Sequence, residues 1–174
     1  MRKVVILLSL FFTTGCFAKS TIESIGDFTQ VIVPAYAFGM AINEDGWTGA
    51  KQFVTQFAAS QITVEGLKLA IPEERPDHSD KRPFPSGHSA CAFSGAAFIH
   101  KRYGIKRAII PYLAAGFTGF SRVHAKRHHI HDVLAGATIG GLSGYFLTTR
   151  YNDKSQANIE LLPDGAKLNF YTKF

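Results

Sequence analysis

Cysteine is scarce in this 174-residue chain, which has 2. Cys16 falls in a leader-like segment, so the rest holds Cys91 alone and cannot close an internal disulfide. Folding then rests on packing. Cys91 lies in Ala90-Cys91-Ala92-Phe93, a setting that suits a small buried residue better than a reactive thiol. Long hydrophobic runs are missing too. Beyond the leader no segment offers about 20 uninterrupted apolar residues, the length of a bilayer span. Residues 109–120 and 133–147 come nearest, and Gly and Thr dilute both. The mean hydropathy of +0.04 is low for a polytopic membrane protein. These absences favour a helical bundle that is soluble or lies against a membrane, with an embedded bundle still open. There is no internal repeat. No basic helix carries base-reading side chains, which argues against nucleic acid as a partner.

What is present begins with an export signal over residues 1–18. Arg2 and Lys3 precede an apolar stretch at 4–12, and Cys16-Phe17-Ala18 offers a small-residue cleavage site. Acylation at Cys16 and an uncleaved anchor are the alternatives. Export would place the chain in the periplasm or facing it. Losing Arg2 and Lys3 lowers the formal charge from +6 to +4. That balance favours an anionic substrate or an anionic membrane surface.

Residues 19–27 read as a polar lead-in. An apolar stretch at 28–42 predicts a helix with Pro34 as a bend point, and Asn43-Glu44-Asp45-Gly46 reads as a turn. Residues 47–69 predict a longer helix, with Phe53, Val54, Phe57, Ala58, Ile62, Val64 and Leu67 near helical spacing. Pro72, Pro76, Pro83 and Pro85 mark 71–85 as a loop. Ser86 suits the N-cap of a helix running to Tyr103. Residues 106–123 and 128–151 predict two more. In the last, Gly136, Gly140, Gly141 and Gly144 form a small face that permits close approach. Pro163-Asp164-Gly165 between alternating segments is a hairpin signal. The expected fold is all-α: a bundle of about five helices over 19–152, then a tail over 153–174 with a small C-terminal β-hairpin capping the bundle.

Three clusters carry chemistry. Lys68, Arg75 and Arg122 could grip phosphate oxygens, since Arg offers a planar fork and Lys a mobile charge. Singly, each also fits a solvated surface charge, as Lys81, Arg82, Lys126 and Arg127 do. Ser86, Gly87 and His88 open a helix, where backbone N–H groups favour an anion and His88 could protonate a leaving group. The alternative is an ordinary loop-to-helix junction. His128 and Asp132, four apart on a helix, share a face, so the carboxylate could fix the imidazole tautomer and free the other nitrogen as nucleophile. A dipole-stabilising helix start is one alternative. Zinc ligation with His129 and His131 is another, but no second helix supplies matching ligands, and His78, His88, His100 and His124 form no paired motif.

Taken in order, these clusters strongly resemble the phosphatidic acid phosphatase type 2 superfamily: Lys68, then Arg75-Pro76; Pro85-Ser86-Gly87-His88; Ser121-Arg122, His128 and Asp132. The resemblance covers residues 68–136, and Asp132-Val133-Leu134-Ala135-Gly136 is similar to the bacterial membrane-lipid branch. It implies a phosphohistidine on His128, oriented by Asp132, with His88 as acid and then base. Lys68, Arg75, Ser86, Gly87 and Arg122 would bind phosphate, without metal or other cofactor. The implied substrate is a phosphorylated lipid, as monoester or pyrophosphate, or a small phosphate ester. A broad-specificity periplasmic acid phosphatase and a vanadate-dependent haloperoxidase are the rivals.

Overall fold

A computed structural model describes residues 20–78, 82–151, 155–162 and 165–172. The expected signal over 1–18 and Lys81 lie outside the described residues.

Helix α1 spans Thr21–Ala70. Ser20 caps it, its Oγ accepting from the Glu23 N–H at 3.1 Å. Thus the expected polar lead-in is helix, and the signal was present: Ser20 followed three residues later by Glu23 is a helix-start pattern. Pro34 lies inside α1, but only Gly46 leaves helical geometry, at φ 56° and ψ −138°. Glycine takes that left-handed φ without a Cβ penalty. The chain folds back there, so Phe38 and Phe53 meet with ring centroids 5.6 Å apart.

Helices α2 (Gly87–Tyr103), α3 (Ile105–His124) and α4 (Ile130–Phe146) complete the bundle. The expectation of about five helices is corrected to four among the described residues. The segments expected at 28–42 and 47–69 are the two limbs of α1, and the four-residue turn between them shrinks to the single break at Gly46. The hairpin detail is corrected as well. Ser155–Leu162 (β1) and Gly165–Thr172 (β2) pair antiparallel, but among the described residues they contact each other and no helix. They do not cap the bundle, and the fold that carries the site is all-α.

Helix α2 is the hub, packed by α1, α3 and α4. Its run from Ser94 to Ile99 is buried throughout. Phe98 lies edge-on to Phe53 at 5.2 Å in the main core cluster. Helix α4 approaches α2 backbone to backbone. A Cβ on Gly136, Gly140 or Gly144 would run into the carbonyl oxygens of Ser86, Ala90 and Ser94 respectively. Gly141 faces open space and is not part of that face.

Away from the site, a polar clamp fixes the α1 bend. Arg102, 3% exposed, pairs with Asp45. It also donates to Gln52 Oε1 at 2.8 Å and to the Thr149 carbonyl at 2.9 Å. Asp45 adjoins Gly46, so the clamp ties the bend to the end of α2 and the segment after α4.

Candidate active site

Each local cluster is placed by a helix end. Lys68 lies in the last turn of α1. Arg75 follows in the proline-rich loop and donates to the Arg127 carbonyl at 3.2 Å. Ser86 is the buried N-cap of α2, accepting from the Ser89 hydroxyl at 3.1 Å. Its own N–H donates to the Asp132 carbonyl at 2.9 Å, which locks the start of α2 to the start of α4. A Cβ on Gly87 would lie 3.3 Å from Lys68 Nζ, so the bare glycine backbone faces the ammonium group. Arg122 ends α3, and His128 lies in the turn before α4.

His128 is the point of convergence. It is 4% exposed, and Asp132 behind it is fully buried. His128 Nδ1 faces Asp132 Oδ2 at 3.5 Å. Burial pushes the His128 imidazole pKa down to about 3, and the positive charges of Arg75, His88, Arg122 and Lys68 add to the effect. All three expected cations and the expected acid therefore act on one imidazole, which is neutral near pH 7 with an available lone pair. Every predicted site residue, Lys68, Arg75, Ser86, Gly87, His88, Arg122, His128 and Asp132, falls in this one region.

Three carboxylates missed in the sequence, Asp27, Glu23 and Asp77, complete it. Asp27, on the first turns of α1, lies 2.7 Å from Arg122 Nη1 and 3.2 Å from His88 Nε2 through the same oxygen. Arg122, 3% exposed, also donates to the Glu23 carbonyl at 2.8 Å and to Ser121 Oγ at 3.1 Å. Its fork is thus held by α1 and by its own helix. Gly26 makes that approach possible, because a Cβ there would collide with Ser121. Glu23 reaches Arg127 Nε at 2.9 Å, and Arg127 Nη1 reaches Asp77 Oδ2 at 2.9 Å. Arg127, expected to be a solvated charge, instead ties α1 and the proline-rich loop to the His128 turn. Arg82 and Lys126 are exposed, as expected. The Ser20–Glu23 helix start would have placed Asp27 one turn beyond Glu23; nothing local would have aimed it at Arg122.

A sequence model of the PAP2 superfamily matches residues 49–156. The chain belongs to the PAP2 superfamily. The lipid A 4'-phosphatase of Helicobacter pylori is 31% identical over 76% of this chain and 72% of that one. The lipid A 1-phosphatase of Porphyromonas gingivalis is 42% identical over 47% of this chain, and the match spans only 19% of that longer protein. The crystal structure of the transmembrane PAP2-type phosphatidylglycerolphosphate phosphatase from Bacillus subtilis superposes with a TM-score of 0.58, at 26% identity, over 77% of this chain and 76% of that one. These relatives put the chain in the bacterial lipid-phosphatase-like branch of the PAP2 family, and the family assigns it to the phosphoric ester hydrolases.

Proposed function

We propose that this PAP2 chain is an exported phosphatase that removes phosphate from lipid-linked monoesters or pyrophosphates through a phosphohistidine on His128. The observation that carries this reading is the convergence of Lys68, Arg75, His88 and Arg122 on a buried, neutral His128.

The geometry supports the following steps. Lys68, Arg75 and Arg122 hold the three equatorial oxygens, and the exposed N–H groups at the start of α2 add to the cradle. The lone pair on His128 Nε2 attacks phosphorus as the bond to the lipid oxygen breaks. Asp132 stabilises the positive charge that grows on the ring through Nδ1–H. His88 gives a proton to the departing oxygen; burial pushes its pKa below the usual imidazole value, and the hydrogen bond to Asp27 opposes that and favours the protonated form. Neutral His88 then takes a proton from water, whose oxygen attacks phosphorus and breaks the P–N bond. Inorganic phosphate leaves, and both histidines return to their starting states. In these steps side chains supply the positive charge around the phosphate.

Membrane placement rests on an inside-out pattern. The second limb of α1 buries Gln52, Gln56 and Ser60 alongside Phe53 and Val64, while Val54, Ile62 and Leu69 are exposed. Ile25, Phe28 and Val31 on its first limb, Ile110 and Leu113 on α3, and Leu134 and Phe146 on α4 are exposed as well. Lipid as the solvent favours this arrangement and water opposes it. Helix α1 is long and apolar enough to cross a membrane, with a window of mean hydropathy 1.3. The phosphate pocket then lies at the helix ends, where a lipid headgroup arrives. The names of the Helicobacter pylori and Bacillus subtilis relatives, lipid A and phosphatidylglycerophosphate phosphatases, point to the same substrate class.

The test is phosphate release by purified protein from lipid A, phosphatidylglycerophosphate and small soluble esters in detergent. Release should survive a chelator, stop with vanadate and favour lipid substrates. Acid-labile, base-stable phosphoenzyme should appear on rapid quenching and vanish in His128→Ala. Undiminished release by His128→Ala would defeat the mechanism, and equal turnover of soluble esters would defeat the lipid assignment.

A further inference from the structure

Beside the phosphate pocket lies a second cluster, on the far side of Asp132. Glu73, from the proline-rich loop, meets His129 and His131 at the start of α4. Glu73 Oε1 is 2.8 Å from His131 Nε2 and 3.5 Å from His129 Nδ1. Asp132 Oδ2 is 3.6 Å from His129 Nδ1, and Asp132 Oδ1 is 3.3 Å from His131 Nε2. The four donor atoms lie within 4.8 Å of one another, and the two imidazoles stack with centroids 5.1 Å apart.

Zinc bonds to imidazole nitrogen and carboxylate oxygen at about 2.0–2.2 Å, which sets tetrahedral ligand pairs about 3.3–3.6 Å apart. The Glu73–His129 contact and the two Asp132 contacts, one through each carboxylate oxygen, fall in that range, and the Glu73–His131 pair needs a small opening. Two further facts point to a ligand. Asp132 is fully buried, yet its Oδ1 has no hydrogen-bond partner among the described residues; His129 Nδ1 has none either. Unpaired polar atoms of this kind are costly unless something fills the gap between them. The sequence alone offered no ligand from a second element. The loop supplies one in Glu73.

We propose that Glu73, His129, His131 and Asp132 bind a zinc-class divalent cation, and that its binding turns the phosphatase down. Two imidazoles with two carboxylates select zinc over magnesium, which demands six oxygen ligands. The coupling runs through Asp132. The carboxylate that would ligate the metal is the one that faces His128 Nδ1 at 3.5 Å. A dication drawing on it weakens its support of the growing imidazolium and adds positive charge beside the nucleophile. Glu73 is two residues from Arg75, so the same ion would pin the loop that carries a phosphate ligand.

The inhibition arm rests on the phosphatase reading; the binding arm does not. Full-length protein stripped with chelator is titrated with zinc against a chromophoric chelator, and phosphate release is followed in parallel. Wild type should take up one equivalent, lose activity in step with occupancy and recover it with chelator, while magnesium does neither. His131→Ala and Glu73→Gln, on two different elements, should keep basal activity and bind zinc at least about 10–100-fold more weakly, the loss typical even for partners of metal ligands. No stoichiometric uptake by wild type would overturn the site. Uptake without loss of activity, or equal inhibition in both variants, would overturn the coupling. Stoichiometry is read without substrate, so a failure of the phosphohistidine mechanism shows up separately, in His128→Ala.

Discussion

Replacing Asp27 with Asn should tighten anion binding and slow turnover at once. Asp27 lies 2.7 Å from Arg122 Nη1 and 3.2 Å from His88 Nε2, so a carboxylate of the protein holds two groups that a phosphate must engage. Incoming phosphate has to displace that contact on Arg122. A hydrogen bond to a charged group contributes about 1.5–3 kcal/mol. Asn keeps the shape and part of the bond, so about 1–2 kcal/mol of competition is lost, equivalent to roughly 5–30-fold tighter binding. Turnover should move the other way. His88 would lose the negative neighbour that favours its protonated form, and about tenfold of the 10²–10⁴ typical of general acid catalysis is at stake. Stability should fall too, because Arg122 would be a buried cation short of a counter-charge, and saturating vanadate should restore it preferentially in the variant. The assay is the inhibition constant of orthovanadate alongside kcat for a lipid phosphate in micelles, with a thermal melt with and without vanadate. An unchanged or weaker vanadate constant in Asp27→Asn would refute the reasoning, since the carboxylate would then not be competing for Arg122.

Three further outcomes follow from packing and charge. Gly140→Ala should destabilise by about 1–3 kcal/mol, because its Cβ meets the Ala90 carbonyl, whereas Gly141→Ala, facing open space, should be neutral or slightly stabilising; thermal melts in detergent compare the pair. Arg102→Ala should cost about 3–5 kcal/mol by stranding Asp45 beside the α1 bend, read as lost folded yield, with phosphate affinity of the folded fraction unchanged. Arg127→Ala should raise KM more than it lowers kcat, because it frees the loop bearing Arg75 from Glu23 and Asp77 without touching His128 chemistry; steady-state kinetics separate the two.

The candidate site was legible in the sequence because each part of it is local. A helix N-cap with Ser86, Gly87 and His88, a His128–Asp132 step of one helical turn, and three spaced cations are short patterns whose side-chain types have few other joint uses. What stayed hidden depends on contacts across the chain. Asp27 lies 61 residues before His88 in the sequence, and only the packing of α1 on α3 at Gly26 brings them together. Arg127 looked like a surface charge because its partners, Glu23 and Asp77, lie on other elements. The helix count went astray at Asn43-Glu44-Asp45-Gly46, where turn-forming residues form a break of one residue. Arg102, far along the chain, holds Asp45 there.

The apolar pattern misled for a different reason. Phe53, Val54, Ile62 and Val64 all fall near helical spacing, yet Phe53 and Val64 are buried and Val54 and Ile62 exposed, while Gln52, Gln56 and Ser60 are buried. Periodicity finds a face but not the medium it meets. In water the apolar stripe goes inward; against acyl chains the helix can turn over, and small and polar residues pack the interior. Dilution by Gly and Thr argued against a membrane at 133–147, yet Gly136, Gly140 and Gly144 are the residues that let α4 close on α2. In α4, then, the small residues that interrupt the apolar run are the ones that allow close packing. The small residues that weaken its apolar signal bring its first turn, with Asp132, hard against the N-cap of α2, where the Ser86 N–H meets the Asp132 carbonyl at 2.9 Å. The packing that interrupts the apolar run of α4 is also what brings the candidate site together.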